Sequence, residues 1–257
     1  MPIVRFFKRK WLLSKSFPET WENVLRKKVP VYHRLPDRLK NILRNRLVIL
    51  LDEKHFEGCG SLTLTEEIKV VIAAYASVLI LEEPADYYGD LQAILVYPKH
   101  YVAPVNEEFE GGIVSEGYES RSGEYWGAGN IVLSWRDIER DIYESGNGQN
   151  LIYHEFSHLL DDRYGLSAGV SLDGETLRDD EWTRILAKAY RRLVRDSSTG
   201  RFTILDSYGA KNPAEFFSVA TEAFFERSGR LHSTMPDLYR MLQSFYGVDP
   251  AAWKQNF

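Results

Sequence analysis

The chain of 257 residues carries 32 Lys and Arg against 37 Asp and Glu, a net charge of -5, and 44% of its residues are hydrophobic. That length fits one domain, or two small ones, around a substantial core, and the acidic balance argues against nucleic acid as a general or direct partner. Cys59 is the single cysteine, which excludes an intrachain disulfide framework and fits a reducing compartment.

The chain begins Met1-Pro2-Ile3-Val4-Arg5-Phe6-Phe7-Lys8-Arg9-Lys10-Trp11-Leu12-Leu13. A secretory signal needs about 7–15 uninterrupted apolar residues before a small-residue cleavage site, and this stretch has neither, so a cytoplasmic location is expected. Its basic and aromatic residues have two readings: contact with an anionic membrane surface, or the plainer one of a solvated or packing arm. Leu35-Pro36-Asp37 opens a helix whose Leu39, Ile42, Leu43, Leu47 and Leu50 form an apolar stripe opposite Arg38, Lys40, Asn45 and Arg46. Thr63 and Glu66 have capping-box spacing for a second helix that runs through Ile68 to Leu81. This helix is apolar nearly all round and is expected to be buried. A membrane span needs about 20 apolar residues, and Lys69 and Glu82-Glu83 bracket fewer, so no transmembrane segment is expected.

Leu91 to Tyr97, closed by Pro98, has the length and character of a strand, and so does Ile131 to Trp135. Between them, Ala103 to Gly129 is rich in glycine and acidic residues, with Val114 and Tyr125-Trp126 as candidate anchors. It suits a short hairpin or a cover for a cleft.

The chemistry concentrates in His154-Glu155-Phe156-Ser157-His158, the one H-E-x-x-H pattern in the chain. Residues i and i+4 of a helix share a face, so both imidazoles can point at one metal ion, with Glu155 beside it as a candidate general base. Gly146-Asn147-Gly148 supplies a helix start, Leu151, Ile152, Leu159 and Leu160 give apolar positions at helical spacing, and Gly165 supplies the stop. A buried helix carrying two imidazoles and a carboxylate is unfavourable unless something pairs them, which weighs against a merely structural histidine pair. Asp161 shares the face of the histidines and has two readings, orienting a ligating imidazole or tying the helix to a neighbouring element.

A catalytic zinc site takes three protein ligands and keeps a position open. His232 lies in a loop-like stretch near Thr234 and Pro236, and Asp173, Glu175, Asp179 and Asp180 form an acidic cluster of the kind usually solvated. Glu215 is the better third ligand, because Asn212-Pro213 reads as a helix cap followed by a first-turn proline, which puts Glu215 in the opening turn. Tyr208 lies on the approach to that helix. Glu222, two turns beyond Glu215 on the same face, can orient a ligating histidine or be satisfied by an arginine. Glu181 to Val194 predicts an amphipathic helix with Trp182, Ile185, Leu186 and Leu193 inward, and Leu238 to Phe245 a last helix ending at Gly247.

His154 to Asp161 taken with Tyr208 to Phe217 resembles the Mlc titration factor A family of bacterial zinc metallopeptidases, gluzincins whose catalytic core is similar to that of anthrax lethal factor. Ile94 to Pro98, Ile131 to Ile138 and Phe245 to Pro250 also look like that family, so the resemblance covers most of the chain from about Leu62. Residues 1–61 are expected to form an N-terminal arm and helical segment packed on a catalytic domain of residues 62–257, in one compact unit. For that domain the resemblance implies an α+β, mainly helical zincin-like fold with a small mixed sheet beside the H-E-x-x-H helix. It further implies one zinc ion held by His154, His158 and Glu215, with Glu155 as general base and Tyr208 stabilising the oxyanion. The implied activity is hydrolysis of a peptide or protein substrate, aminopeptidase action included. It also makes Ile131 to Trp135 a candidate for the sheet edge on which an extended substrate lies. The alternative the resemblance carries is a binding protein that sequesters a transcriptional repressor, with hydrolysis secondary.

Overall fold

The computed structural model describes residues 2–82, 86–109, 113–121, 123–126 and 129–253. Helices α1 (Pro2–Leu13), α2 (Glu19–Lys28), α3 (Pro30–Arg34) and α4 (Asp37–Glu53) lead into strand β1 (His55–Gly58). The stripe expected on α4 packs inward as Leu39, Leu43, Leu47 and Leu50, with Ile42 at its margin. Helix α1 is fastened to the end of α4 by charge: Arg5 and Arg9 donate to Glu53 at 3.0 and 2.7 Å, and Lys8 pairs with Asp52 at 2.6 Å. Burial would raise the Glu53 carboxyl, but these arginines pull it down to about 2.

Helix α5 (Glu66–Leu79) is buried along its whole length from Val70. Its cap is Thr65, which accepts from the Ile68 N–H at 3.3 Å, rather than Thr63. Leu62 and Leu64 pack on the core while the chain is still irregular, and this delays the helix past the earlier threonine. Among the described residues no helix is long and apolar enough to cross a membrane.

Strand β2 (Ala93–Tyr97) is followed by the antiparallel pair β3 (Tyr101–Phe109) and β4 (Ile113–Arg121), then β5 (Gly123–Trp126) and β6 (Asn130–Ser134). The glycine-rich acidic stretch therefore does form a hairpin, with arms longer than expected; the side chains of Val114, Tyr125 and Trp126 lie outside the described residues. The main sheet has the order β1-β2-β6-β5, with β1, β2 and β6 parallel and β5 antiparallel to β6. Ile94, Val96, Ile131 and Leu133 enter the principal core, while Val132 is covered by Leu95 and Tyr97 on the other face. The Ile131 strand is thus internal, and β5 and β1 are the edges, which corrects the expectation that Ile131 to Trp135 would form one.

Trp135 opens helix α6 (Trp135–Tyr143), capped by Ser134 accepting from the Asp137 N–H at 3.4 Å. The Ser-x-x-Asp spacing is the signal that marked this helix, and it sits directly behind an apolar strand that masks it. Helix α7 (Leu151–Tyr164) then packs against α5, β5, β6 and α9 (Pro213–Glu226), while α8 (Glu181–Ser198), which separates α7 from α9 along the chain, packs on α9. Tyr153 of α7 meets Tyr75 edge-on at 5.4 Å and Phe225 at 5.0 Å, tying the three helices through aromatic contacts. The chain closes with α10 (Ser228–Thr234) and α11 (Pro236–Tyr246), which ends in a left-handed Gly247 at φ 67°. One apolar cluster runs from Leu25 to Trp253, in a mainly helical α+β protein.

Candidate metal centre

The N-terminus of α7 is held by three buried carboxylates. Asp141 accepts from the Leu151 N–H at 2.8 Å, Glu222 from the Asn150 N–H at 2.6 Å, and Glu226 from the Gly146 N–H at 2.7 Å. A helix start carries unpaired N–H groups and a partial positive charge, so acceptors are stabilising there. Asn150 is the cap, accepting from the Tyr153 N–H at 3.0 Å and donating to Glu226 at 3.3 Å. Replacing Asn150 with alanine is expected to lower unfolding stability by about 1–2 kcal/mol, read by denaturant titration.

So anchored, α7 presents His154 and His158 one turn apart, ring centroids 5.0 Å from each other. The Asn212 side chain accepts from the Glu215 N–H at 2.9 Å and Pro213 begins α9, which places Glu215 in the first turn as the residue pattern predicts. Glu215 Oε2 lies 2.9 Å from His154 Nε2 and 3.4 Å from His158 Nε2. One donor atom from each of the three residues falls within 4.8 Å of the others, and among the described residues no other trio of His, Cys, Asp or Glu does this.

Glu222 faces the other side of the first ring, 2.7 Å from His154 Nδ1, and so aims Nε2 at Glu215. Ser218 Oγ, 2.8 Å from Ser157 Oγ, lies 3.2 Å from His158 Nδ1. The electrostatics follow. Burial disfavours the His154 imidazolium, yet Glu215 and Glu222 hold its pKa well above the usual histidine range. Burial likewise opposes ionisation of Glu215, but the two imidazoles keep its carboxyl well below the usual range.

Glu155 is 4% exposed, and its carboxylate lies against Gly123 of β5. Burial pushes its carboxyl up to about 7, with Glu215 and Glu222 adding to the rise and the two histidines opposing it. A Cβ on Gly123 would overlap Glu155 Oε1 and stand 2.7 Å from Leu151 Cδ1, so any larger residue here must displace the Glu155 and Leu151 side chains. Tyr208 sits in a 3-10 turn, Ser207–Ala210, half-exposed, and its hydroxyl donates to Glu215 Oε1 at 3.4 Å.

Asp161 takes the second of its two readings. Its carboxylate accepts from the Ser167 N–H and hydroxyl at 2.7 and 2.6 Å, tying the end of α7 to the following turn. His232 lies in helix α10 rather than a loop and packs on the Tyr239 ring at 4.8 Å. In the acidic cluster, Asp180 caps α8 through the Thr183 N–H, and Asp173 accepts from Ser171. Gly123, Asp141, Ser218 and Glu226 escaped the reading of the sequence. Gly123 stands in a stretch with several glycines, and the other three act only once distant elements meet.

Two imidazoles from an H-E-x-x-H helix and a carboxylate from a neighbouring helix define a class, that of proteins whose side chains could hold a metal ion. The chain belongs to the glucose-regulated metallopeptidase M90 family, whose description matches residues 4–247. It is a peptidase of the hydrolase class, and the family implies a metal ion. It is 35% identical over 245 residues to an uncharacterized protein of Synechocystis, covering 95% of this chain and 89% of that one. It is 31% identical to Mlc titration factor A of Serratia proteamaculans, covering 96% of this chain and 94% of the relative. The Mlc titration factor A of Pectobacterium atrosepticum is also 31% identical, with 96% of both chains covered.

Proposed function

We propose that this chain is a zinc-dependent peptidase in which His154, His158 and Glu215 hold one zinc ion, Glu155 is the general base and Tyr208 stabilises the oxyanion. The observation that carries the reading is the convergence of two imidazole nitrogens and one carboxylate oxygen within 4.8 Å beside a buried carboxylate. Two nitrogens and an oxygen suit zinc, and three protein ligands leave the open position that catalysis needs. Zinc, when bound, supplies Lewis acidity toward a carbonyl oxygen and toward water.

The rest is done by side chains of this protein. A carboxyl poised near neutrality is matched to its task, so Glu155 takes the proton of the attacking water and delivers it to the leaving amine. Tyr208 donates its hydroxyl hydrogen to the developing oxyanion, for which its half-exposed position leaves it room. Glu222 keeps His154 in one orientation throughout. The edge strand β5, in contact with α7, offers backbone groups to an extended peptide or protein substrate. The proposed compartment is the cytoplasm, in keeping with the lone Cys59.

The test is a peptide-library digest run on protein of measured metal content. Cleavage that a chelator abolishes and zinc restores is expected; a chain that holds one zinc ion and leaves the library uncut would refute the peptidase reading. The name shared by the Serratia and Pectobacterium relatives favours a second reading, capture of a transcriptional regulator. Pull-downs with wild type and Glu215→Ala separate the two, since equal capture without hydrolysis assigns the protein to regulation.

A further inference from the structure

Helix α1 turns Arg5, Lys8, Arg9 and Leu12 toward the rest of the protein and most of its other apolar residues outward. Arg5, Lys8 and Arg9 pair with Glu53 and Asp52 of α4, and the Arg9 guanidinium lies 4.2 Å from the centroid of the Tyr87 ring. Opposite them, Ile3, Val4, Phe6, Phe7 and Trp11 are 57–70% exposed. On a helix these five fall in one broad arc with Lys10 near its middle. Lys15 extends the arc, its Nζ 3.3 Å from the centroid of the Trp11 ring. A contiguous apolar face of this kind marks a surface that something covers, unlike single exposed side chains.

The charge distribution says what covers it. Residues 1–18 contain Arg5, Lys8, Arg9, Lys10 and Lys15 and no acid, so the chain's net charge of -5 becomes -10 once these five are set aside. The segment that exposes aromatic rings is thus net positive, while the rest of the chain is net negative. A second copy docked through the same face would bring two basic segments together, which like-charge repulsion opposes. Aromatic and aliphatic residues on one face with lysines among them suit the boundary between lipid headgroups and acyl chains.

We propose that α1 docks this protein on the surface of an anionic phospholipid bilayer, with Ile3, Phe6, Phe7 and Trp11 entering the headgroup region and Lys10 and Lys15 meeting lipid phosphates. The helix lies in the interface and does not cross it. Contacts run from α1 through α4 and α5 to α7, so two helices stand between the docking helix and the one that carries the histidines, and the proposal does not depend on the peptidase reading.

Flotation of the full chain with vesicles tests the proposal, using phosphatidylcholine alone or phosphatidylcholine enriched in phosphatidylglycerol. The protein is expected to float with the anionic vesicles only. A Phe7→Ser, Trp11→Ser double variant and a Lys10→Glu, Lys15→Glu double variant should each lose roughly tenfold or more in partitioning. Tyr143→Ser, which removes an exposed ring elsewhere, should float as wild type does. Thermal melts should be unchanged in all three, because the replaced side chains are exposed. The proposal is overturned by failure to float with either vesicle, by equal flotation with both, or by double variants that bind like wild type. It is equally overturned if wild type forms a dimer that the Phe7→Ser, Trp11→Ser variant abolishes while lipid binding is absent.

Discussion

Replacing Glu155 with glutamine is expected to reduce peptide hydrolysis by roughly a hundred- to ten-thousandfold while metal content stays at the wild-type value, since a positioned general base contributes that much and no ligand is removed. The substitution is close to isosteric, so packing at a site 4% exposed is preserved and only the ability to take a proton is lost. Gly123→Ala approaches the same carboxylate from the strand side. The added methyl collides with Glu155 Oε1, and displacement by about 1 Å can lower turnover by about a hundredfold with the chemistry intact. Both variants should lower kcat and spare metal content. They differ in pH dependence: with Glu155 as the proposed base, the acidic limb of kcat/KM should vanish from any residual activity of Glu155→Gln and persist in Gly123→Ala. Without metal that carboxyl sits at about 7, and a nearby cation favours the ionised form, so the limb should fall below 7 in the loaded protein. Wild-type rates in Glu155→Gln would remove this residue from the chemistry.

What could be read from the residues alone was whatever depends on neighbours in the chain. His154 and His158 share a helix face by spacing, and Asn212-Pro213 places Glu215 by cap chemistry, so the elements carrying all three donors were legible before any fold was known. The same holds for the α4 stripe and for Gly247 as a helix stop. Properties set by register between distant segments were not legible. Whether β6 or β5 forms the sheet edge depends on pairing order, and one antiparallel strand added beside β6 moved the edge away from Ile131. Glu222 was open between an arginine and a histidine, and only the crossing of α7 and α9 sets its carboxylate 2.7 Å from His154. Asp161 had a face in common with the histidines, but the turn after α7 delivers Ser167 to it first.

Removing the carboxylate of Glu215 is expected to take metal content from one ion per chain to near zero after dialysis. Two histidines from one helix turn supply only two of the three protein ligands a zinc site of this kind uses, and no other carboxylate, histidine or cysteine among the described residues completes the trio. Glu222→Gln should be milder, weakening zinc by roughly 10- to 100-fold, because it acts by orienting His154. Proton competition gives a further signature. In the metal-free protein His154 lies between Glu215 and Glu222, which hold its pKa well above the ordinary histidine value, so the two carboxylates favour a ring proton with which zinc competes. Apparent affinity should therefore rise with pH, by up to about tenfold per unit for one proton released, until the ring is neutral in the free protein. Glu222→Gln withdraws one of the two carboxylates that favour the proton, so its pH dependence should level off at lower pH than wild type. Calorimetric zinc titrations over a pH series read both effects, and tight zinc binding by Glu215→Ala would move the third ligand elsewhere and leave the two-helix site without its defining contact.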